Sequence, residues 1–119
     1  PFADVKNSLG KFITPTMASV SYAAEVNIPA DTKVSLTNTK AAKGYPLSSF
    51  TWIIIYKEQN YNNRTHAQAE ASLKLIKWMV TEGQKFATPL HYAPLPKAAQ
   101  AKALAQLKTV TYNGKKIFK

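Results

Sequence analysis

Apolar positions change their spacing along the chain, and each change marks an element. Residues 5–13 hold two short apolar pieces separated by Asn7-Ser8-Leu9-Gly10, which predicts a turn between two short extended segments. Met17, Val20 and Ala24 then fall at i, i+3 and i+7. With Thr14 as N-cap and Pro15 at the first helical position, they predict a short helix to about Val26, ended by Asn27-Ile28-Pro29. From 29 to 44 the chain is polar, with Val34-Ser-Leu36-Thr37 alternating as a half-buried strand and 38–44 as loop.

The next stretch breaks the alternation. Phe50, Trp52, Ile53, Ile54, Ile55 and Tyr56 are apolar on both sides of any pleat, the pattern of an interior strand in a parallel or mixed sheet covered by helices. Such a strand needs a neighbour on each side. Only 34–37, 110–112 and the first turn segments are available, and all are short or half polar. Part of the sheet is therefore expected to come from residues outside this sequence.

The second half reads as mostly helical. Thr65 with Gln68 forms a capping-box pattern, Ala69, Leu73, Ile76 and Val80 recur at helical spacing, Glu70 and Lys74 pair at i, i+4, and Gly83 ends the run. A loop over 87–96 leads to a second helix with Pro96 near its start, Leu104 and Leu107 on one face, and its end near Lys108. Residues 110–112, Asn113-Gly114 and 115–118 predict a closing hairpin.

Composition narrows the chemistry. A hydrophobic fraction of 45% and a charged fraction of 18% are those of a globular chain, so wholesale disorder is excluded. Sixteen Lys and Arg against six Asp and Glu give a formal charge of +10, a field that attracts anions, nucleic acid or acidic membrane without choosing among them. With no cysteine, disulfides, thiolate metal sites and thiol nucleophiles are excluded. The longest apolar run is too short to span a bilayer, and Pro1-Phe2-Ala3-Asp4 has neither an initiator Met nor a signal peptide, so a processed or cut chain is expected.

Candidate chemistry is sparse. His66 beside Arg64 and His91 in a proline-rich loop share no metal-ligand spacing, and surface or packing roles are expected for both. The acids are scattered singly, Ser48 and Ser49 precede a strand where a nucleophile elbow would follow one, and no Gly-rich phosphate cradle occurs. No catalytic residue, metal ligand or cofactor site is assigned. The helix starts near Thr14 and Thr65 are read as caps. A free-standing basic module would use Lys108, Lys115, Lys116 and Lys119 on phosphates with Tyr112 and Phe118 as stacking surfaces, but the lysines spread over the whole chain favour a solvated basic surface, and no nucleic-acid partner is expected.

Four stretches carry a resemblance. Gly44-Tyr-Pro-Leu-Ser-Ser-Phe-Thr-Trp-Ile-Ile-Ile-Tyr-Lys-Glu-Gln59, Trp78-Met79 with Glu82-Gly-Gln-Lys85, Pro89-Leu-His-Tyr-Ala-Pro-Leu-Pro96 and Tyr112-Asn-Gly-Lys115, in this order and spacing, resemble the C-terminal part of the periplasmic phosphate-binding proteins of bacterial phosphate ABC transporters. Residues 31–39 and 10–15 extend the resemblance upstream. It implies an α/β chain forming the C-terminal part of a two-lobed periplasmic-binding-protein (Venus flytrap) fold, type II-like. Residues 1–43 would then end the second lobe, 44–48 cross between lobes as a hinge at Tyr45, Pro46, Leu47 and Ser48, and 49–119 return to the first lobe as a strand with covering helices. The partners implied are inorganic phosphate in the intact protein, its missing N-terminal part and a membrane permease, in the periplasm or on a Gram-positive cell surface as a lipoprotein. The family's phosphate-holding residues have no counterpart here. The only arginine, Arg64, is followed by Thr-His-Ala-Gln, and no Ser-Gly-Thr occurs. No phosphate-binding residue is carried over.

Overall fold

Asn7 closes the first turn of the chain. In the computed structural model, which describes residues 2–118, its Oδ1 accepts the N–H groups of Leu9 and Lys11, both at 3.0 Å, and its Nδ2 donates to the Ala42 carbonyl at 3.2 Å. An Asn side chain that satisfies local amides in this way stabilises a turn, and here it also ties the turn to a distant loop. β1 (Val5–Lys6) and β2 (Phe12–Ile13) pair antiparallel around it, as the sequence predicts. Pro1 and Lys119 lie outside the described residues.

α1 (Met17–Ala23) starts later and ends sooner than its apolar spacing suggests. Its N-cap is Thr16, not Thr14. Thr16 Oγ1 accepts the Ser19 N–H at 3.1 Å while Ser19 Oγ accepts the Thr16 N–H at 2.9 Å, a reciprocal box that requires this three-residue spacing. Ser19 Oγ also donates to the Thr14 carbonyl at 2.7 Å, so Thr14 is held by the cap. Residues 34–37 keep their alternation, with Leu36 buried between exposed Ser35 and Thr37, but they join no ladder among the described residues. Thr32 (φ 61°) and Asn38 (φ 50°) bend the backbone on either side, which leaves too short a straight run for pairing.

α2 (His66–Val80) forms as its pattern predicts. Thr65 and Gln68 exchange cap hydrogen bonds, Ala69 and Leu73 are buried, and Lys74 Nζ lies 2.7 Å from Glu70 Oε1. Its end falls at Thr81 rather than Gly83. Thr81 leaves helical geometry (φ −119°, ψ −97°) and its hydroxyl donates to the Lys77 carbonyl at 2.7 Å, after which Gly83 sits inside a 3-10 turn, Glu82–Phe86. The predicted loop contains a second such turn, Thr88–Leu90, closed by His91 in the left-handed region. α3 (Lys97–Leu107) follows, with Pro96 as its N-cap and Lys108 as its C-cap. β3 (Thr111–Tyr112) and β4 (Lys115–Lys116) complete the expected hairpin, whose Asn113 (φ 51°) and Gly114 (φ 72°) supply the paired positive φ angles of a tight right-twisted turn. Leu73, Leu107 and Val110 form the core between these elements, with Ile76, Leu104, Ile117 and Phe118 packed on it.

The largest departure is at residues 50–56. Among the described residues no strand forms there: the stretch joins no ladder, and no backbone group of residues 49–55 has a backbone hydrogen bond. Pairing begins only behind it, where the N–H of Thr111 donates to the Lys57 carbonyl and that of Gln59 to the Thr111 carbonyl, both at 2.8 Å, making a parallel bridge at Glu58. The side chains follow the backbone into solvent, and Ile54 is 92% exposed. The result is a small mixed helix and strand arrangement with an accessible area of 8315 Å², against about 6,400 Å² for a compact monomer of this size. Its radius of gyration of 16.9 Å compares with about 13–14 Å for a compact domain.

Candidate functional site

Two adjoining features stand out, segment 44–48 and the apolar stretch that follows it. Gly44 sits against α1 so closely that a Cβ there would lie 3.0 Å from Ala23 Cα. The Tyr45 N–H donates to the Ser19 carbonyl of α1 at 2.9 Å, and the Pro46 carbonyl accepts the Asn38 N–H at 2.8 Å. Ser48, only 3% exposed, donates its hydroxyl to the Tyr45 carbonyl at 2.7 Å, whereas the Leu47 side chain points into solvent. Segment 44–48 is thereby stitched to α1 and to the loop before it.

Beyond Ser48 the stretch 50–55 forms one wall of an open depression of about 520 Å³. Ile76 and Val80 of α2 and Ala99 and Leu107 of α3 also line it. The Phe50 and Trp52 rings meet edge to face at 5.8 Å. A depression so lined, fronted by backbone groups without partners, presents both an apolar surface and hydrogen-bonding capacity.

The other candidate residues serve internal contacts. His66, in the first turn of α2, sets its ring edge to face against Tyr112 at 5.2 Å, and His91 closes a turn through its N–H to the Thr88 carbonyl at 3.0 Å. Arg64 folds along α2, donating to Tyr61 Oη at 2.8 Å, to the Gln68 carbonyl at 3.2 Å and to Ser72 Oγ. Tyr112 donates its hydroxyl to the Arg64 carbonyl at 2.9 Å, and the partly buried Phe118 packs on the core. No group of three or more metal-ligating side chains occurs among the described residues.

Sequence reasoning missed Glu58. Its exposed carboxylate accepts the Asn60 N–H at 3.0 Å, the Gly114 N–H at 3.1 Å, the Thr111 hydroxyl at 2.8 Å and the Asn113 N–H at 2.9 Å, clasping the hairpin turn to the segment behind the apolar stretch. The only sequence signal was the Asn113-Gly114 turn, which exposes amides without naming their acceptor. These bonds, that from Asn60 first, lower the carboxyl from 4.5 to about 2. Because the unfolded group keeps the higher value, the clasp contributes fully above about pH 4.5 and loses its contribution as pH falls through 2. Glu58→Gln is expected to lower the melting temperature at pH 7, with the gap to the parent closing between pH 4.5 and 2 in circular-dichroism melts. A gap that stays constant with pH would assign the effect to something other than the charge.

The described residues thus define a helix-and-hairpin core and a segment 44–48 held against α1 more clearly than they define a pocket for chemistry. By sequence the chain is related to phosphate-binding proteins. It is 35% identical over 104 residues to the phosphate-binding protein PstS of Methanocaldococcus jannaschii, which covers 79% of this chain and 26% of that protein. It is 29% identical over 98 residues to PstS of Xylella fastidiosa (80% of this chain, 26% of that protein) and 28% identical over 109 residues to PstS of Haemophilus influenzae (88% and 31%). No protein-family model matches the chain. The chain spans between about a quarter and a third of the length of these curated relatives.

Proposed function

We propose that this chain is the C-terminal part of a two-lobed periplasmic substrate-binding protein that binds inorganic phosphate and delivers it to an ABC transporter permease. The observation that carries the reading is the agreement with proteins named for phosphate binding over about four-fifths of the chain. Two physical features support it. The stretch 50–56 has the composition of an interior strand yet is exposed and unpaired among the described residues, as a strand would be whose neighbours belong to the rest of the protein. The accessible area, about 1,900 Å² above that of a compact monomer, is surface of the kind such a remainder would cover.

On this reading the chain contributes scaffold and hinge, and performs no catalysis. Residues 1–43 belong to one lobe, 44–48 cross, and 49–119 belong to the other, with the phosphate contacts supplied by the remainder. Phosphate favours the closed form because only closure completes the anion's contacts from both lobes. The setting is the periplasm, or the cell surface if the protein is lipid-anchored.

Calorimetric titration with inorganic phosphate tests this directly. The chain alone is expected to give no saturable heat, and an equimolar mixture with the N-terminal remainder of a relative is expected to bind phosphate one to one. Saturable binding by the chain alone would overturn the assignment of the contacts, and a silent mixture would overturn the proposed function.

A further inference from the structure

We infer that Asn113-Gly114 is a deamidation site that the Glu58 clasp holds shut, and that conversion of Asn113 to an acid frees the closing hairpin from Glu58. The inference stands apart from the phosphate-binding reading.

Deamidation joins the nitrogen of the following residue to the Asn side-chain carbon. The Gly114 nitrogen gives up its proton and bonds to Asn113 Cγ, the Cγ–Nδ2 bond breaks, and Nδ2 takes up a proton and leaves as ammonia. Water then opens the cyclic imide at either carbonyl, which leaves aspartate or, with the backbone rerouted through the side chain, isoaspartate. Glycine is the best neighbour for this reaction because no Cβ obstructs the nitrogen. Asn113-Gly114 is the one Asn-Gly pair in the sequence, both residues are exposed, and a Cβ added at Gly114 would meet nothing within 4 Å. Water can reach the turn and ammonia can leave it. Asn7, followed by the small Ser8, is by contrast buried and tied through its side chain to Leu9, Lys11 and Ala42.

Two contacts restrain the reacting groups. The nitrogen that must lose its proton donates it to Glu58 Oε2 at 3.1 Å, and a carboxylate beside it disfavours the amide anion that attack requires. Glu58 is also a poor base for that proton, since its carboxyl is held down to about 2. Asn113 Oδ1 meanwhile accepts the Asn60 side-chain amide, which restrains rotation of the side chain that carries Cγ.

Once formed, the acid works against the clasp. Glu58 Oε1 accepts the Asn113 N–H at 2.9 Å, so a carboxylate on residue 113 sets two like charges near each other. Isoaspartate also lengthens the backbone of the turn that Asn113 (φ 51°) and Gly114 (φ 72°) form. The same Glu58 carboxylate accepts the Thr111 hydroxyl at 2.8 Å, and Thr111 carries the pairing with Lys57 and Gln59 directly behind the apolar stretch. Opening the clasp loosens that pairing.

Ageing the chain at a temperature where circular dichroism shows every variant folded, with Asn113 conversion read by peptide mass spectrometry, tests the lock. Glu58→Gln is expected to convert about ten-fold faster than the parent, since it exchanges a charged acceptor for a neutral one. Leu73→Ala, which weakens the core and leaves the clasp in place, is expected to age as the parent does. Glu58→Gln within about two-fold of the parent, or equal acceleration in Leu73→Ala, would overturn the lock. Asn113→Asp, the product made directly, tests the release. It keeps an acceptor for Asn60, and is expected to melt below the parent and to lose that deficit in a Glu58→Gln background, where only one carboxylate remains. A deficit of full size in both backgrounds, or none in the parent background, would overturn the release.

Discussion

Truncating Leu73 to alanine is expected to remove about 3 kcal/mol of stability, because it deletes a large aliphatic side chain from the centre of the cluster that joins α2, α3 and the closing hairpin. Leu73 is 1% exposed and is packed with Leu107 and Val110, and the partly exposed neighbours Ile76, Leu104 and Ile117 cannot all move inward without uncovering themselves. The loss has an outsized consequence here. Domains are stable by only about 5–15 kcal/mol, and a chain that leaves this much apolar surface in water sits at the low end. Circular-dichroism melts are expected to show α2 and α3 unfolding together at a markedly lower temperature in the variant. A melt within a degree or two of the parent's would mean that the cluster is not what holds the two helices.

Helices and turns were legible in the sequence because their signals are local. Thr65 and Gln68 cap α2 three residues apart, Asn113-Gly114 sets the hairpin, and Asn7 with Gly10 sets the first turn, each within a few residues of its own partners. The misread boundaries have local causes too. Ser19 at the third helical position is a weaker advertised capping partner than Glu or Gln, so Thr16 was passed over for the Thr14-Pro15 pair. Thr81 stops α2 through its own hydroxyl before Gly83 is reached.

Strands are another matter, since a strand exists only where a second one lies beside it. Residues 34–37 and 50–56 carry strand composition, and neither finds a partner strand among the described residues. The apolar faces of 50–56 state a need for neighbours, while the identity of those neighbours cannot be encoded in the stretch itself. Glu58 was illegible for a related reason: its four donors come from Asn60, Thr111, Asn113 and Gly114, three of them more than fifty residues away. The grip of segment 44–48 on α1 through Ser19 and Ala23 is likewise a contact that spacing does not reveal.

That grip yields the second large effect. Gly44→Ala is expected to destabilise the chain by about 1–3 kcal/mol, the range for forcing an extra carbon into a filled site. The sign is the informative part. Where backbone geometry allows, Gly→Ala stabilises by about 0.4–1 kcal/mol by reducing the freedom of the unfolded chain. Gly44 is not among the positive-φ glycines, so geometry alone predicts that gain. Against it, the new Cβ would stand 2.9 Å from Ala41 Cβ, 3.0 Å from Ala23 Cα and 3.2 Å from Ala23 N, all short, inflexible atoms, and Ala23 is fully buried in α1. Segment 44–48 must then back away from α1, which lengthens the bond from the Tyr45 N–H to the Ser19 carbonyl. Two measurements should therefore move together: the melting temperature falls and the Tyr45 amide exchanges faster. A variant that is equally or more stable would show that the wedge has room, and that segment 44–48 is held by the Tyr45, Pro46 and Ser48 hydrogen bonds alone.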